Sequence, residues 1–295
     1  MLIAFTPRLN GQDILRFFEP APDLHRNRTI TVAAAETAIS AGSLAGLWQF
    51  WYKDYNTSSF HFFNDNDEWL QMDKYGHSMA AYYAGSLSYG LLKWSGIQER
   101  KAVWIGGLTG FAYQGVIEMF DGFSSGWGFS SGDILANGFG SALFISQQLY
   151  FHEQHVQLKY SFQRSPFAKY RPALLGSSIA EQLIKDYNAQ TYWISFSPAT
   201  WTEGKTIWPK WLNIAAGIGA EGMTGGTKNA VIFNAQGNQI NFERYRQFYL
   251  SLDINLSRLP VKSPFLKTIC HTLGFLKIPA PGLMWSKQGF KGGVY

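Results

Sequence analysis

Three polar pairs interrupt otherwise apolar stretches between residues 73 and 140. Asp73 and His77 lie four apart in DKYGHSMAAYYAG. Glu118 and Asp121 lie three apart in GVIEMFDGF, and Asp133 and Asn137 four apart in SSGDILANGFGSALF. Positions three or four apart share one face of an α-helix. Each pair is therefore a two-pronged polar group beside Gly, Ala, Leu and aromatic residues. An ionised carboxylate in such surroundings is costly unless it is paired, hydrogen-bonded or bound to a cation. Three such pairs so close together predict one cluster in space.

Three chemistries fit that cluster. Asp73, Lys74, His77, Glu118 and Asp133 form a candidate catalytic set. His77 beside a carboxylate can act as general base, and Lys74 can hold a phosphate or a developing oxyanion. Ser130 or Ser131, close to Asp133, is the available nucleophile, although no GxSxG elbow surrounds either. Asp121, Ser130 and Asn137 complete the set as binding residues. The same side chains offer ligand types for a divalent metal such as iron, manganese or zinc. The ExxH pairs of carboxylate-bridged two-metal bundles are absent, and the motif supplies a single His. No other cofactor is suggested. The third reading is a buried hydrogen-bonded network that fixes helix packing, with Lys74 neutralising a carboxylate. The residues alone leave all three open.

Composition narrows the setting. The 295 residues are 15% charged and 17% aromatic, against roughly 25% charged in average soluble proteins. Few charges with many Trp, Tyr and Phe suit a membrane interface. A mean hydropathy of -0.12 argues against a membrane protein that crosses throughout its length. The net charge is +5, but Lys and Arg are scattered, so a nucleic-acid partner is not expected. Membrane lipid and an envelope protein partner fit better. The single cysteine, Cys270, gives no intrachain disulfide and no zinc knuckle. It reads as a small packed residue.

The elements that must carry the motif come first in the chain. Residues 1–30 read as a truncated signal segment and lead-in, with cleavage near Gln12. A helix is predicted over 31–52, ending in a Trp48, Trp51, Tyr52 girdle. An aromatic loop over 55–69 precedes helices at 70–94, 100–120 and about 131–153, the last capped by Ser130 or Ser131. Residues 31–155 thus form a four-helix, membrane-associated bundle. Its apolar windows of about 16–18 residues sit at the short edge for crossing a bilayer, so a buried bundle stays open. Residues 156–295 read as a mainly antiparallel β region. VQLKYSF, TYWISF, LNIAAGIGAEGM and RQFYLSLDINL alternate apolar and polar side chains. SSIAEQLIKDYN gives one amphipathic helix. The strands are too few for a closed barrel. The fold class is α+β, with one or two helices in the second half. The glycines of AAGIGAEGMTGG lack a following GK[ST] and are not a phosphate loop. His61 reads as a packed loop histidine.

The segments DKYGHSMAAYYAG, VIEMFDGFSSGWGFSSGDILANGFGSALF and KDYNAQTYWIS together resemble the YfiM-type envelope lipoproteins of Gram-negative bacteria. The first two also resemble, more loosely, VanZ-like membrane proteins. The shared pattern is DKxxH, a later Glu, then SxxDxxxNxxG. Its positions here are Asp73, Lys74 and His77; Glu118; then Ser130, Asp133, Asn137 and Gly140. It spans about residues 30–155, and the lipoprotein likeness extends to about 225. The resemblance implies an envelope protein at the outer membrane or its periplasmic face, without an established activity. The sequence departs from the lipoprotein label in lacking a lipobox cysteine, so anchoring falls to helices, the aromatic sheet or an upstream segment. The leading expectation is a membrane-associated role that binds lipid or glycolipid. The rivals are a membrane-proximal hydrolase or transferase acting on a lipid or cell-wall precursor, and a metal-dependent enzyme.

Overall fold

The computed structural model describes residues 19–201 and 207–295. The start, through Gln12, lies outside the described residues. Helix α1 covers Arg26–Leu47 and widens into a π-turn at Trp48–Tyr52. Helices α2 (Met72–Trp94), α3 (Glu99–Gly122) and α4 (Ser131–Phe151) follow. The apolar pattern predicts α2 from residue 70. It starts at Met72 because Trp69, Leu70 and Gln71 all take left-handed backbone, with φ of 49°, 52° and 63°. Ser130 caps α4 by accepting the Asp133 N–H at 3.1 Å.

Glycines set how closely these helices meet. A Cβ on Gly110 would lie 2.1 Å from the Ala81 carbonyl oxygen, and one on Gly140 would lie 1.9 Å from that of Ser78. Both α3 and α4 therefore rest directly on the α2 backbone. Tyr82, Val103, Phe144 and Ile145 fill the core between them, joined by Leu158 of the sheet. Helix α1 behaves differently. Only Val32 is buried along Arg26–Leu47. It is fastened at points: Arg28 over the Trp94 ring at 4.8 Å, Ser43 to Tyr113 OH at 2.8 Å, and Tyr52 against Phe120 and Trp127. Three helices, not four, bury their faces in one another. Among the described residues, α1 is also the one helix long and apolar enough to cross a membrane, and only 6% of its apolar window is buried.

The second half is an antiparallel sheet, as the alternation predicts. Its strands are β1 (Val156–Phe162), β2 (Gln190–Phe196), β3 (Leu212–Glu221), the two-residue pair β4 (Ile232–Phe233) and β5 (Gln239–Ile240), β6 (Tyr245–Ile254), β7 (Pro281–Ser286) and β8 (Gly289–Val294). The six long strands neighbour one another in the order β1-β2-β3-β6-β7-β8. Three helices, α5 (Pro172–Leu175), α6 (Ile179–Lys185) and α7 (Pro264–Thr272), decorate it. They are one more than the upper expectation; α5 is a single turn.

The register sorts the side chains into two opposite faces. One carries Lys159, Ser195, Asn213, Ser251 and Asp253, all buried. The other carries Ile194, Phe248, Leu250, Leu252, Leu283 and Trp285, all exposed. Lys159 Nζ meets Asp253 Oδ2 at 2.6 Å with both side chains 0% exposed. Ser195 and Asn213 extend the network. β1 and β6 are separated by two strands, so this contact requires a strongly curled sheet. The Tyr160 N–H donates to the Phe275 carbonyl, and the Lys277 N–H donates to that of Tyr160, each at 2.8 Å. These bonds tie the segment before β7 to the outer edge of β1. The end of the apolar face at Leu158, Tyr192 and Ala220 covers the helices. The rest is bare.

The close helix contacts predict a sharp contrast. Gly140→Ala should destabilise the protein by about 1–3 kcal/mol, because backbone must move. Gly115 has nothing within 4 Å of its would-be Cβ, so Gly115→Ala should stabilise by about 0.5–1 kcal/mol. Denaturant melts of both variants, monitored by circular dichroism, check this.

Candidate functional site

The cluster forms where the N-termini of α2 and α4 meet the C-terminal end of α3. Lys74 stands at its centre. Its Nζ lies 2.5 Å from Asp65 Oδ1, 3.0 Å from Asp73 Oδ2 and 2.8 Å from Asp133 Oδ1. An ammonium has three N–H donors; here they go to Asp65, Asp73 and the Ser130 hydroxyl, while Asp133 pairs with the charge. The Ser130 hydroxyl donates to Asp65 Oδ1 at 2.6 Å, while the Ser130 N–H donates to Glu118 Oε2 at 3.1 Å. His77 Nε2 faces Glu118 Oε1 at 3.7 Å and Asp133 Oδ1 at 3.8 Å. On the other side of the ring, Nδ1 lies 3.1 Å from Asn137 Oδ1 and 3.2 Å from Gln114 Nε2. The structure thus brings together Asp73, Lys74, His77, Glu118, Ser130, Asp133 and Asn137. Asp121 adjoins them, accepting the Tyr52 hydroxyl at 2.8 Å. The cluster is half-open: Asp65, Lys74 and His77 reach solvent, whereas Glu118, Asp133 and Asn137 are buried.

Burial dominates the electrostatics. It pushes the Asp73 carboxyl up to about 6 against the pull of Lys74. Burial, and then the adjacent Asp133 charge, push Glu118 up to about 9. Asp121 rises to about 7 for the first of these reasons, with the Tyr52 hydroxyl opposing. Burial also raises Asp133, against the attraction of His77 and Lys74. Asp65 alone in this group is lowered, because contacts with Asp133, Lys74 and Ser130 outweigh its burial. More carboxylates converge here than one ammonium can neutralise.

These partners bear on the expected roles. Lys74 has no N–H left for a phosphate or an oxyanion. The Ser130 hydroxyl caps α4 and contacts Asp65 and Lys74, so the histidine that would activate it is not among its partners. Ser131 is exposed. Asp65 is the residue the sequence reading misses. It sits in the NDNDEW loop, where Asn and Asp normally signal turns, and only the fold carries it to Lys74. His61 is packed in its loop, with Nε2 at the Trp127 carbonyl. Cys270 lies half-buried on α7. The glycine-rich segment is an anchor: Trp69 N–H donates to the Gly226 carbonyl at 2.9 Å, and Arg244 Nη1 to that of Gly225 at 2.9 Å.

Residues 61–148 match the model of a family described as a predicted periplasmic lipoprotein (DUF2279). The match takes in the later part of the aromatic loop, α2, α3 and most of α4, and so every residue of the cluster. It stops before the sheet and covers under half of the chain. It is similarity to an uncharacterised family, and it supports a place in the cell envelope. Searches of curated proteins and of solved structures gave no match.

Two variants test the cluster. Asp133→Ala takes one carboxylate from Lys74 and from His77, but Lys74 keeps Asp65 and Asp73, so the change should cost about 1–3 kcal/mol. Asp67 is exposed in the loop, and Asp67→Ala should stay within about 0.5 kcal/mol of wild type. Urea unfolding of the two proteins checks the difference. Asp121 gives a pH signature. Its carboxyl is raised from 3.8 to about 7, so its contribution is full below about pH 4 and is lost as pH rises through 7. Asp121→Asn should therefore gain stability relative to wild type across that interval and hold the gain above it. A pH series of melting temperatures measures it.

Proposed function

We propose that the protein sits in the outer membrane or against its periplasmic face. There it presents the Asp73–Asp133 cluster to the polar head group of a lipid or glycolipid. The observation that carries this reading is the inverted sheet. Trp285 and Leu250 are 64% and 53% exposed while Lys159 and Asp253 are fully buried. Apolar-out and ionic-in is the arrangement that a lipid surroundings favours. Helix α1 is likewise bare and apolar, long enough to cross a membrane.

The cluster's position follows from the aromatics around it. Trp48, Tyr55, Phe60, Phe62, Phe63 and Phe123 are all exposed beside it. Aromatic side chains of this kind settle at the head-group level. The half-open side of Lys74 and His77 would then face head groups rather than acyl chains. A hydrolase or transferase reading retains one observation in its favour: His77 Nε2 faces two carboxylates at a solvent-accessible edge.

Vesicle flotation tests the membrane reading. With vesicles of phosphatidylethanolamine and phosphatidylglycerol, wild type should float. The Leu250→Asp/Trp285→Asp double variant should remain largely at the bottom, because charge on a lipid-facing strand is unfavourable. Wild type that stays monodisperse without detergent and does not float would overturn the reading.

A further inference from the structure

We propose that His77, Glu118 and Asp133 bind one divalent cation of the first transition row, Zn2+ or Mn2+. The cluster contains two overlapping groups of ligand atoms. Asp65, Asp73 and Asp133 form one; His77, Glu118 and Asp133 form the other, with the ligand atoms of each within 4.8 Å of one another. The first group already holds a cation, because the Lys74 ammonium lies 2.5–3.0 Å from all three carboxylates. The second group contains no ammonium of its own.

A separate observation points into that second group. Glu118 is 0% exposed, and its Oε1 has no hydrogen-bond partner. Oε2 accepts the Ser130 N–H, which fixes the carboxylate with Oε1 turned toward His77. A fully buried, unpartnered carboxylate oxygen is an expensive feature. The His77 contacts of 3.7 and 3.8 Å are too long for hydrogen bonds. Ligand atoms about 2.0–2.2 Å from a tetrahedral zinc are separated by roughly 3.3–3.6 Å. The three groups are therefore spaced as ligands around a shared ion, with small adjustments. Asn137 Oδ1, 3.1 Å from His77 Nδ1, supplies the outer partner. In the tautomer that donates Nδ1–H to Asn137, rather than accepting from Gln114, the Nε2 lone pair faces Glu118 and Asp133. Asp133 would bridge the two cations, Lys74 and the metal. One imidazole and two carboxylates suit Zn2+ or Mn2+ better than Cu(I), which prefers sulfur. The site does not depend on how the protein meets a membrane.

The test uses full-length protein in detergent, stripped with a chelator and titrated with ZnCl2 or MnCl2 by calorimetry. Wild type should take up one equivalent of at least one of these ions, with a rise in melting temperature. Glu118→Gln keeps the shape and removes the ionisable carboxyl. It should lose both signals while melting no lower than wild type in chelator. Asp67→Asn should retain both. Should Glu118→Gln fail to fold, His77→Gln, at a partly exposed position, replaces it with the same expected loss. Wild type that binds neither ion, or a folded Glu118→Gln or His77→Gln protein that binds as tightly as wild type, would overturn the proposal.

Discussion

The Lys74 ammonium is the interaction on which the helical half depends. Its three carboxylates come from three different pieces of chain: Asp65 from the aromatic loop, Asp73 from its own helix and Asp133 from α4. One point charge thus fixes the loop, the start of α2 and the start of α4 together. Ser130 joins the same knot, so the residue that caps α4 also contacts Lys74 and Asp65. Where α4 begins decides where Asp133 and Asn137 point, and therefore what His77 faces. Removing one partner from such a network costs more than the pair contributes when intact, because the remaining charges stay buried. The knot is accordingly a specification of geometry more than a source of stability.

The backbone that delivers Lys74 is itself under constraint. Three consecutive non-glycine residues, Trp69, Leu70 and Gln71, are left-handed just before α2, at a cost of order 1–3 kcal/mol each. Contacts from β6 and from loops of the second half hold them. Trp69 donates its N–H to Gly226, Arg246 reaches Gln71 Oε1, and the Trp69 ring meets Tyr187 at 5.4 Å. Residues 222–246 thus act on the cluster from outside the segment that matches the lipoprotein family. The motif is local in sequence, but the turn that aims it is maintained by strands far along the chain.

This division explains what the sequence makes legible. Helical spacing exposes Asp73 with His77 and Asp133 with Asn137, because each pair lies on a single helix. Apolar alternation exposes β1, β2, β3 and β6 for the same local reason. Asp65 is hidden, since a loop carboxylate has no period. The left-handed turn is hidden too, because Trp, Leu and Gln give no local sign of positive φ. The β7–β8 hairpin escapes notice: GFKGGV has three glycines, and pairing with β7, itself paired with β6, supplies the order its composition lacks. Helix α1 has the right length and the right aromatics, yet nothing in its composition says that it packs at points rather than along a face.

The two halves share a physical arrangement that neither reveals alone. In the sheet, Lys159 and Asp253 are sealed inside a curl whose outer surface is Ile, Leu, Phe and Trp. In the helices, a charged junction is buried on its Glu118, Asp133 and Asn137 side, and exposed aromatics flank it in the chain. A buried ion pair in water is often matched or bettered by apolar side chains of the same size. A sheet selected for water would therefore tend to turn Ile194, Leu250 and Trp285 inward and Lys159 outward. The reverse order becomes favourable when the surroundings are apolar, because then the outer residues lose no contact with water and the inner charges have only each other to meet. On the reading proposed above, one apolar surrounding would account for the bare sheet face and for bare α1 with a single cause.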